Sequence, residues 1–451
     1  MPNAPNVILI NCDDLGWGDL ACYGHPAHKT PHLDRLASEG VRFTDFYMAS
    51  SVCTPSRGAM LTGCYPRRIG FGEFDGAWVL FPGQPIGLNP AETTIAGMLN
   101  DAGYATRLIG KWHCGDQPEF LPTRHGFSGY YGIPYSNDMG RQAGKTDYPP
   151  LPLLRDEEVI EAQFDQASLT ERYVEDAIRF VRANREQPFF LYFAHMYVHL
   201  PLYVQERFLR ESENGPYGGA VAAIDWATGA IMAELSRLGL EENTLVLFTS
   251  DNGSRGDFGP SNGHLRGHKG TTWEGGQRVP LIARMPGRIP AGRTERRIAA
   301  SIDFLPTIAA LTGAAPPDPT TIDGVDLSGL FLGTAGASPR ESFFYYHYNA
   351  IEAVRAGDWK LHLRKRDNQI DELYNLRDDP GERQNRFASE PARVAALMEL
   401  VEAMRTDLGD DATGDAGTVR PAGRVEKGRT LTTFDPNHPY YIAEYDLADR
   451  G

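Results

Sequence analysis

Two acidic pairs follow strongly apolar stretches of the sequence. Asp13 and Asp14 come after NVILINC, and Asp251 and Asn252 come after TLVLFTS. For either pair alone, a turn or a helix cap is the ordinary explanation, because Asp and Asn are common in both. If both runs are parallel strands of one sheet, however, their carboxyl ends lie at the same edge. Three carboxylates there would repel each other unless a divalent cation bound, and all-oxygen ligands favour Ca²⁺, or Mg²⁺, over Zn²⁺.

A cysteine, a proline and an arginine lie within five residues of each other in SVCTPSRGAMLTG, residues 51–63. The spacing predicts a helix over Pro55–Leu61 with Cys53 in the N-cap position. Backbone N–H groups and the helix dipole at such a terminus favour an anion. Arg57, one turn further on, offers a fork of donors that fits sulfate or phosphate. A single cysteine is usually a small buried hydrophobe, but these neighbours favour a functional Cys53.

Basic side chains follow other apolar runs or lie in a loop before one. Lys111 and His113 are two residues apart in LIGKWHCG, His195 and His199 lie in FAHMYVHLP, and Lys269 lies in a glycine-rich loop. Taken singly, these are ordinary surface lysines and core histidines. Together with a cation site and Cys53, they suit displacement at a tetrahedral oxyanion ester. Cations hold the anion, a nucleophile attacks, and a histidine protonates the leaving oxygen.

Predicted strands and helices alternate over most of the chain. The strands are expected at residues 7–10, 41–48, 105–109, 188–195, 244–250 and 279–286, and the helices at residues 31–40, 93–102, 164–185, 218–238 and 302–312. Strands separated by helices need crossover connections, which are typical of parallel sheets covered on both faces. The sequence therefore predicts an α/β fold with a large mixed, mostly parallel sheet sandwiched by helices.

The pattern changes beyond about residue 335. ESFFYYHY, EAVRAGDWKLHL and DELYNL are predicted short strands joined by tight turns, and a helix is expected over residues 391–408. This combination predicts a smaller α+β domain with an antiparallel sheet. We therefore expect a catalytic α/β domain over residues 1–335. A C-terminal domain with one long helix and an irregular tail is expected over residues 336–451.

Composition excludes several partners. The net charge of −15 over 451 residues argues against a nucleic acid or an anionic membrane, because both require a basic surface. No apolar run approaches the roughly 20 residues of a membrane helix. Five cysteines, an odd number, all lie within the first 114 residues, which indicates reduced thiols. The N-terminus lacks the basic region of a signal peptide, so we expect a cytoplasmic protein, or a periplasmic or secreted one if a leader has been removed.

The chain resembles the type I sulfatases of the alkaline phosphatase superfamily, and most closely the arylsulfatase A branch. CTPSRGAMLTG matches the Cys-x-Pro-Ser-Arg signature of that family with its trailing Leu-Thr-Gly. Further matching stretches occur in the family's order over nearly the whole chain. They are NVILINCDDLGWGDLACYGHP, GKWHCG, GIPYSNDMG, FFLYFAHMYVHLP, LVLFTSDNG, HKGTTWEGG and ELYNLRDDPGE.

The resemblance implies that a separate formylglycine-generating enzyme converts Cys53 to Cα-formylglycine, whose hydrated gem-diol is the nucleophile. It also implies a Ca²⁺ site, with Mg²⁺ as the alternative, whose ligands are Asp13, Asp14, residue 53, Asp251 and Asn252. The remaining implied roles are that Arg57 holds the diol, His113 hydrogen-bonds it, Lys111 and Lys269 bind the sulfate oxygens, Ser136 adds a hydrogen bond, and His199 protonates the leaving alcohol.

The expected function is therefore hydrolysis of a small sulfated substrate, an aryl sulfate or a sulfated carbohydrate, by a bacterial enzyme. Asn137 departs from the histidine that the arylsulfatase A branch typically carries beside Ser136, which bears on leaving-group recognition. Phe74, Trp78 and Phe81 are candidates for lining a pocket for a ring or a sugar, with burial in the core as the alternative. Two other functions stay open: a phosphodiesterase or phosphonate monoester hydrolase of the same superfamily, and a non-catalytic pseudo-sulfatase that binds anions. A homo-oligomer is compatible with the sequence.

Overall fold

The structure is a computed structural model that describes residues 4–141, 146–318 and 321–440. Its strands are β1 Asn6–Cys12, β2 Val41–Tyr47, β3 Ile86–Gly87, β4 Ala105–Gly110, β5 Gly129–Gly132, β6 Pro152–Arg155, β7 Glu158–Ala162, β8 Phe189–Ala194, β9 Thr244–Ser250, β10 Arg278–Arg284, β11 Arg293–Glu295, β12 Ala299–Ala300, β13 Ser342–His347, β14 Ala350–Ala356, β15 Trp359–Lys365, β16 Asn368–Asn375 and β17 Gly423–Arg424. Its α-helices are α1 Pro31–Ser38, α2 Cys53–Thr62, α3 Ile95–Asp101, α4 Leu169–Ala183, α5 Glu206–Leu209, α6 Gly215–Arg237, α7 Glu274–Gln277, α8 Phe304–Thr312, α9 Ser328–Phe331 and α10 Pro391–Asp407.

One large sheet organises the catalytic part of the chain. Its strands lie in the order β11-β2-β10-β9-β1-β8-β4-β5-β6-β7, with β12 also paired to β2. The central strands β9, β1, β8, β4 and β5 run parallel, whereas β10 is antiparallel to both of its neighbours. The sheet is thus mixed and mostly parallel, as predicted.

The core lies on both faces of this sheet, which explains why its strands are apolar at successive positions. In β1, Val7 and Leu9 pack into one cluster, together with residues of α2, α3 and α8. Ile8 and Ile10 point the opposite way, into a cluster with α1, α4 and α6. Alternate residues of a strand face opposite sides, so a sheet covered by helices on both sides needs apolar side chains throughout.

Several helices begin at other residues than predicted: α3 and α8 each start two residues later, at Ile95 and Phe304, and α4 and α6 differ by more. The helix expected from residue 164 starts at Leu169, because Asp165 instead accepts from the backbone N–H of Ala167 and begins a short 3₁₀ turn. The helix expected from residue 218 starts at Gly215, three residues earlier. Pro216 fits this first turn, because a proline there has no hydrogen bond to lose.

A second, antiparallel sheet has the order β13-β14-β15-β16. The stretch EAVRAGDWKLHL, predicted as one strand, is divided between β14 and β15 by a turn at Gly357, where φ is +54°. Side chains of this sheet share a hydrophobic cluster with Tyr47, Ala59 and Tyr65 of the catalytic part. The smaller α+β region is confirmed, and its boundary at residue 335 stays a prediction.

Within the described ranges, no helix is both long and apolar enough to cross a membrane. The cysteines carry free thiols, at Cys12, Cys22, Cys53, Cys64 and Cys114.

Candidate active site

The predicted site residues lie together at one edge of the large sheet. Asp13 and Asp14 follow β1, Asp251 and Asn252 follow β9, and Lys111 follows β4. These three strands are parallel, so their carboxyl ends point the same way. The acidic pairs contact each other directly: Asp251 Oδ1 accepts from the Asp14 backbone N–H at 3.2 Å, and Asn252 Nδ2 donates to Asp14 Oδ1 at 2.7 Å.

The residues at this edge fit a hard divalent cation. Potential ligand atoms of Asp13, Cys53 and Asp251 lie within 4.8 Å of one another. Asp13 Oδ1 and Asn252 Oδ1 are buried without a hydrogen-bond partner among the described residues. Buried oxygens are rarely left unpaired, so a bound cation is a natural partner for them.

Three cationic side chains surround the carboxylates. Arg57 is completely buried, and its Nη2 lies 2.8 Å from Asp251 Oδ2 and 3.6 Å from Asp13 Oδ2. Lys111 Nζ donates to Asp13 Oδ2, and Lys269 Nζ lies 2.9 Å from Asp14 Oδ2. The positive charges therefore offset the acidic cluster and leave two ammonium groups beside it.

The pKa values follow from burial and from these charges. Burial alone would raise the pKa of Asp13, but Lys111 beside it, with other cations, brings that pKa well below its usual range. Burial, and then the nearby Asp13 carboxylate, raises the pKa of Asp251. Burial also raises the pKa of the Cys53 thiol to about 11, although Lys111 and Lys269 oppose the shift. An unmodified Cys53 is therefore a protonated, weakly nucleophilic thiol at neutral pH.

The helix that holds Cys53 starts at this residue, so the prediction of a Pro55 start with a Cys53 cap is wrong. Val52 has an extended backbone and occupies the N-cap position, and its carbonyl accepts from the Ser56 N–H at 3.2 Å. Cys53 is consequently the first helical residue, with 2% of its surface exposed. Arg57 follows one turn later.

Ser136 connects two of the predicted site residues. Its hydroxyl accepts from Lys111 Nζ at 3.1 Å and lies 3.3 Å from His199 Nε2. His199 Nε2 is also 3.9 Å from Asp14 Oδ2, and His199 Nδ1 faces the Leu200 carbonyl at 2.5 Å. The structure thus places Ser136 and His199 beside the acidic edge, the sheet edge that carries Asp13, Asp14 and Asp251.

The other histidines have different surroundings. His113 Nε2 lies 3.0 Å from the Leu80 carbonyl, and its buried Nδ1 has no partner within the described part of the chain. Burial, assisted by Lys111, holds the pKa of His113 well below its usual range, so the ring is neutral. His195 packs edge-on against Phe193 with a centroid distance of 4.7 Å.

Asn137 stabilises the loop after His199. Its Nδ2 donates to the Pro201 carbonyl at 3.0 Å and to Gln166 Oε1 at 3.1 Å. The pairing with Gln166 was missed by sequence reasoning, because nothing near residue 166 marks it as a partner for a residue 29 positions earlier.

Sequence reasoning also missed the groups that hold the loop carrying Lys269. Lys360 of β15 donates to the Thr272 carbonyl and to Glu274 Oε1, both at 2.9 Å. Glu382 accepts from the Glu274 backbone N–H at 2.8 Å. The antiparallel sheet is therefore part of the framework of the site. The stretch HKGTTWEGG contains Glu274, but its spacing does not indicate partners about a hundred residues away.

Comparison with known proteins agrees with this fold. The family model described as sulfatase matches residues 5–314, and the model of the C-terminal part of N-sulphoglucosamine sulphohydrolase matches residues 267–408. The chain belongs to the sulfatase family.

Among its relatives, arylsulfatase A of Homo sapiens is 42% identical over 447 residues, which covers 89% of this chain and 86% of the relative. The N-acetylgalactosamine-6-sulfatase of Canis lupus familiaris is 40% identical over 380 residues, covering 80% and 72%. These relatives are sulfuric ester hydrolases, and this chain is an enzyme of that class.

Solved structures of other proteins have a similar fold. The sulfatase PsFucS1 from Pseudoalteromonas sp. has a TM-score of 0.78 and 29% identity, covering 89% of this chain and 91% of that chain. Ps i-CgsB in complex with k-i-k-neocarrahexaose has a TM-score of 0.80 and 28% identity, covering 94% and 95%.

Proposed function

We propose that this sulfatase cleaves an aryl sulfate or a sulfated carbohydrate with a Cα-formylglycine formed from Cys53 and with Ca²⁺ at the acidic edge. The observation that carries the proposal is the position of Cys53. It is the first residue of α2, it is buried, and its sulfur lies within 4.8 Å of ligand atoms of Asp13 and Asp251. A raised thiol pKa makes cysteine itself a poor nucleophile there. The modified residue would supply a hydrated aldehyde, and one of its two hydroxyls would attack the sulfur of the ester as the alcohol leaves. The second hydroxyl would then lose its proton and re-form the aldehyde, which breaks the C–O bond to the sulfate group and releases sulfate.

The metal would be held by Asp13, Asp14, residue 53, Asp251 and Asn252. Two of these residues have buried oxygens that lack partners among the described residues, which supports the assignment. A bound Ca²⁺ would supply positive charge for the sulfate oxygens and for residue 53. Mg²⁺ is the alternative ion, because it accepts the same kind of ligand.

Arg57 positions residue 53 relative to the acidic edge. Its Nε donates to Asp251 Oδ2 at 2.8 Å, and its Nη1 donates to the Lys111 carbonyl at 3.0 Å. One rigid guanidinium thus connects α2 with the ends of β9 and β4. Lys111 and Lys269, whose ammonium groups converge there, would bind the sulfate oxygens and stabilise the charge that develops on them.

His199 would protonate the leaving alcohol. Its Nδ1 faces the Leu200 carbonyl at 2.5 Å, which favours a hydrogen on Nδ1 and fixes the ring. Nε2 then faces Ser136 and Asp14. A neutral ring with its hydrogen on Nδ1 carries none on Nε2, so His199 would act as the acid in its doubly protonated form. Burial lowers the pKa of His199, and the Asp14 and Asp13 carboxylates oppose that shift and favour the charged ring. From that form, Nε2 would donate its proton to the departing oxygen.

The decisive experiment combines mass spectrometry of the peptide containing residue 53 with an aryl sulfate assay on the same preparation. The protein must be produced with a formylglycine-generating enzyme. We expect an aldehyde or its hydrate at residue 53 and release of sulfate. An intact thiol in active enzyme would overturn the mechanism, and faster hydrolysis of an aryl phosphate diester would overturn the choice of substrate.

A further inference from the structure

Trp78 borders the candidate active site. Of the three aromatic candidates in its loop, Phe74 is buried against Phe71 and Phe81 is partly buried, whereas Trp78 is 37% exposed. Two residues later, the Leu80 carbonyl contacts His113 at 3.0 Å. The Trp78 ring also lies against the residue after Lys269. A Cβ placed on Gly270 would be 3.0 Å from Trp78 Cζ3. The indole therefore lies at the rim of the site.

A groove of about 650 Å³ extends from Trp78 between the two parts of the protein. One wall is formed by Glu73, Gly76 and Trp78, and the other by two hairpin turns of the antiparallel sheet, residues 347–350 and 364–367. Its volume lies within the range of about 300–1,000 Å³ found for ligand clefts, which often occur at domain interfaces. A sulfate ester group alone would leave this groove empty.

The groove is polar, and its charges are nearly balanced. Its charged lining residues are Glu73, Glu352, Asp367, Asp411, Arg364 and Arg366. Two of the acids have cationic partners, since Asp411 lies 2.6 Å from Arg67 Nη1 and Glu352 lies 3.7 Å from Lys365 Nζ. The other charged lining residues are two acids, Glu73 and Asp367, and two arginines, Arg364 and Arg366. The Nε of Arg364 is buried and has no hydrogen-bond partner within the described residues.

We propose that this groove binds uncharged, hydroxyl-rich saccharide units attached to the sulfated unit in the active site; this inference rests on the proposed function. The indole face offers an apolar surface to the C–H face of a sugar ring. Carboxylates and guanidinium groups offer acceptors and donors to its hydroxyls.

Other substrates fit the groove less well. A steroid or lipid would bury the charged lining residues without partners, which is unfavourable. A chain with repeated acidic units would need a surplus of cations, which this lining does not supply, and it would be repelled by a protein of net charge −15.

The first test compares chain length and charge in wild-type enzyme. The probes are a hexosamine sulfated on its primary hydroxyl, the same unit extended by one or two galactose units, and the same unit extended by one or two uronic acids. We expect kcat/KM to rise about tenfold with neutral extension, the effect of one favourable aromatic contact, and not with acidic extension. No gain in either series, or a gain only with uronic acids, overturns the proposal.

The second test locates the effect. Trp78→Ala and Arg366→Gln should each lower kcat/KM for the neutral trisaccharide about tenfold more than for an aryl sulfate. Arg377→Gln is the matched control, because Arg377 is exposed in the turn that follows β16, and its side chain pairs only with Asp358 among the described residues. Equal losses on both substrates would overturn the groove assignment. Wild-type aryl sulfate hydrolysis, measured in parallel, tests the proposed function separately.

Discussion

At the scale of single residues, Cys53 and His199 have surroundings that predict distinct consequences of substitution. Cys53 is buried among Asp13, Asp251 and two lysines, and burial raises the pKa of its thiol to about 11. His199 is also buried, lies beside Ser136 and is held through Nδ1. After its modification, residue 53 is expected to form a bond from one of its oxygens to the sulfur of the sulfate ester. His199 is expected to transfer only a proton.

Cys53→Ala should remove turnover of an aryl sulfate while leaving the fold intact. The substitution deletes the reacting group but only one atom from a small buried side chain. Melting temperature and sulfate release report the two effects. Cys22→Ala, at a half-buried cysteine remote from the acidic edge, serves as the control and should retain activity. Unfolding of the Cys53 variant would instead favour a structural cysteine.

His199→Ala should lower kcat most for substrates with a poor leaving group. A general acid contributes about 10²–10⁴ in rate when the departing oxygen needs a proton. A sulfated sugar should therefore suffer a much larger loss than nitrophenyl sulfate, whose leaving group is stable as an anion. The assay compares the two substrates, with His195→Gln as the histidine control. Equal losses on both substrates would contradict the assignment of His199 as the acid.

At the scale of elements, the antiparallel sheet stabilises the loop that carries Lys269. Lys360 of β15 contacts the Thr272 carbonyl, Glu274 and Glu382, and it is completely buried. A buried ion pair that loses one partner leaves an uncompensated charge. We therefore expect the C-terminal part of the chain to influence catalysis through the placement of the loop that carries Lys269.

Lys360→Met should lower the free energy of unfolding by about 3–5 kcal/mol, because Glu274 and Glu382 lose their shared cation. It should also raise KM for the sulfate ester, because the Lys269 loop loses its support. Denaturant titration and steady-state kinetics measure these effects. Lys29→Met is the control, since the exposed pair of Lys29 with Glu213 is expected to contribute about 0–1 kcal/mol. An unchanged KM would show that the antiparallel sheet does not influence substrate binding at the site.

At the scale of the whole molecule, three carboxylates meet at the centre of an already acidic protein. They come from the ends of β1 and β9, which pair along seven residues. Any cation that binds the folded site and not the unfolded chain must stabilise the entire structure. A metal ion bound at this site would therefore be expected to raise the stability of the whole fold.

Ca²⁺ should raise the melting temperature, and a chelator should lower it. At a concentration about a hundred times Kd, one bound ion adds about 2.7 kcal/mol. Differential scanning calorimetry with Ca²⁺, Mg²⁺ and EDTA measures the effect and ranks the two ions. Asp251→Asn should reduce the response, and Asp326→Asn, at an exposed position remote from these ligands, should not. A melting temperature indifferent to both ions would argue against the metal site.

Much of the fold was predictable because the information is local. The apolar runs that became β1, β8 and β9 are buried at every position, and their period and length specify strands. Helix starts were harder to predict. Whether α2 begins at Cys53 or Pro55 depends on the backbone conformation of Val52, which its side chain does not reveal.

The sequence by itself determined the acidic strand ends, the reactive setting of Cys53 and the α/β architecture, because each follows from residue types close together in the chain. Only the tertiary structure decided which distant groups meet them. Lys269 reaches Asp14 across 255 positions, and Trp78 rather than Phe74 faces the groove. Such pairings depend on how the sheet edge and the C-terminal turns pack together. The spacing of neighbouring residues in the sequence does not show which distant residues come into contact.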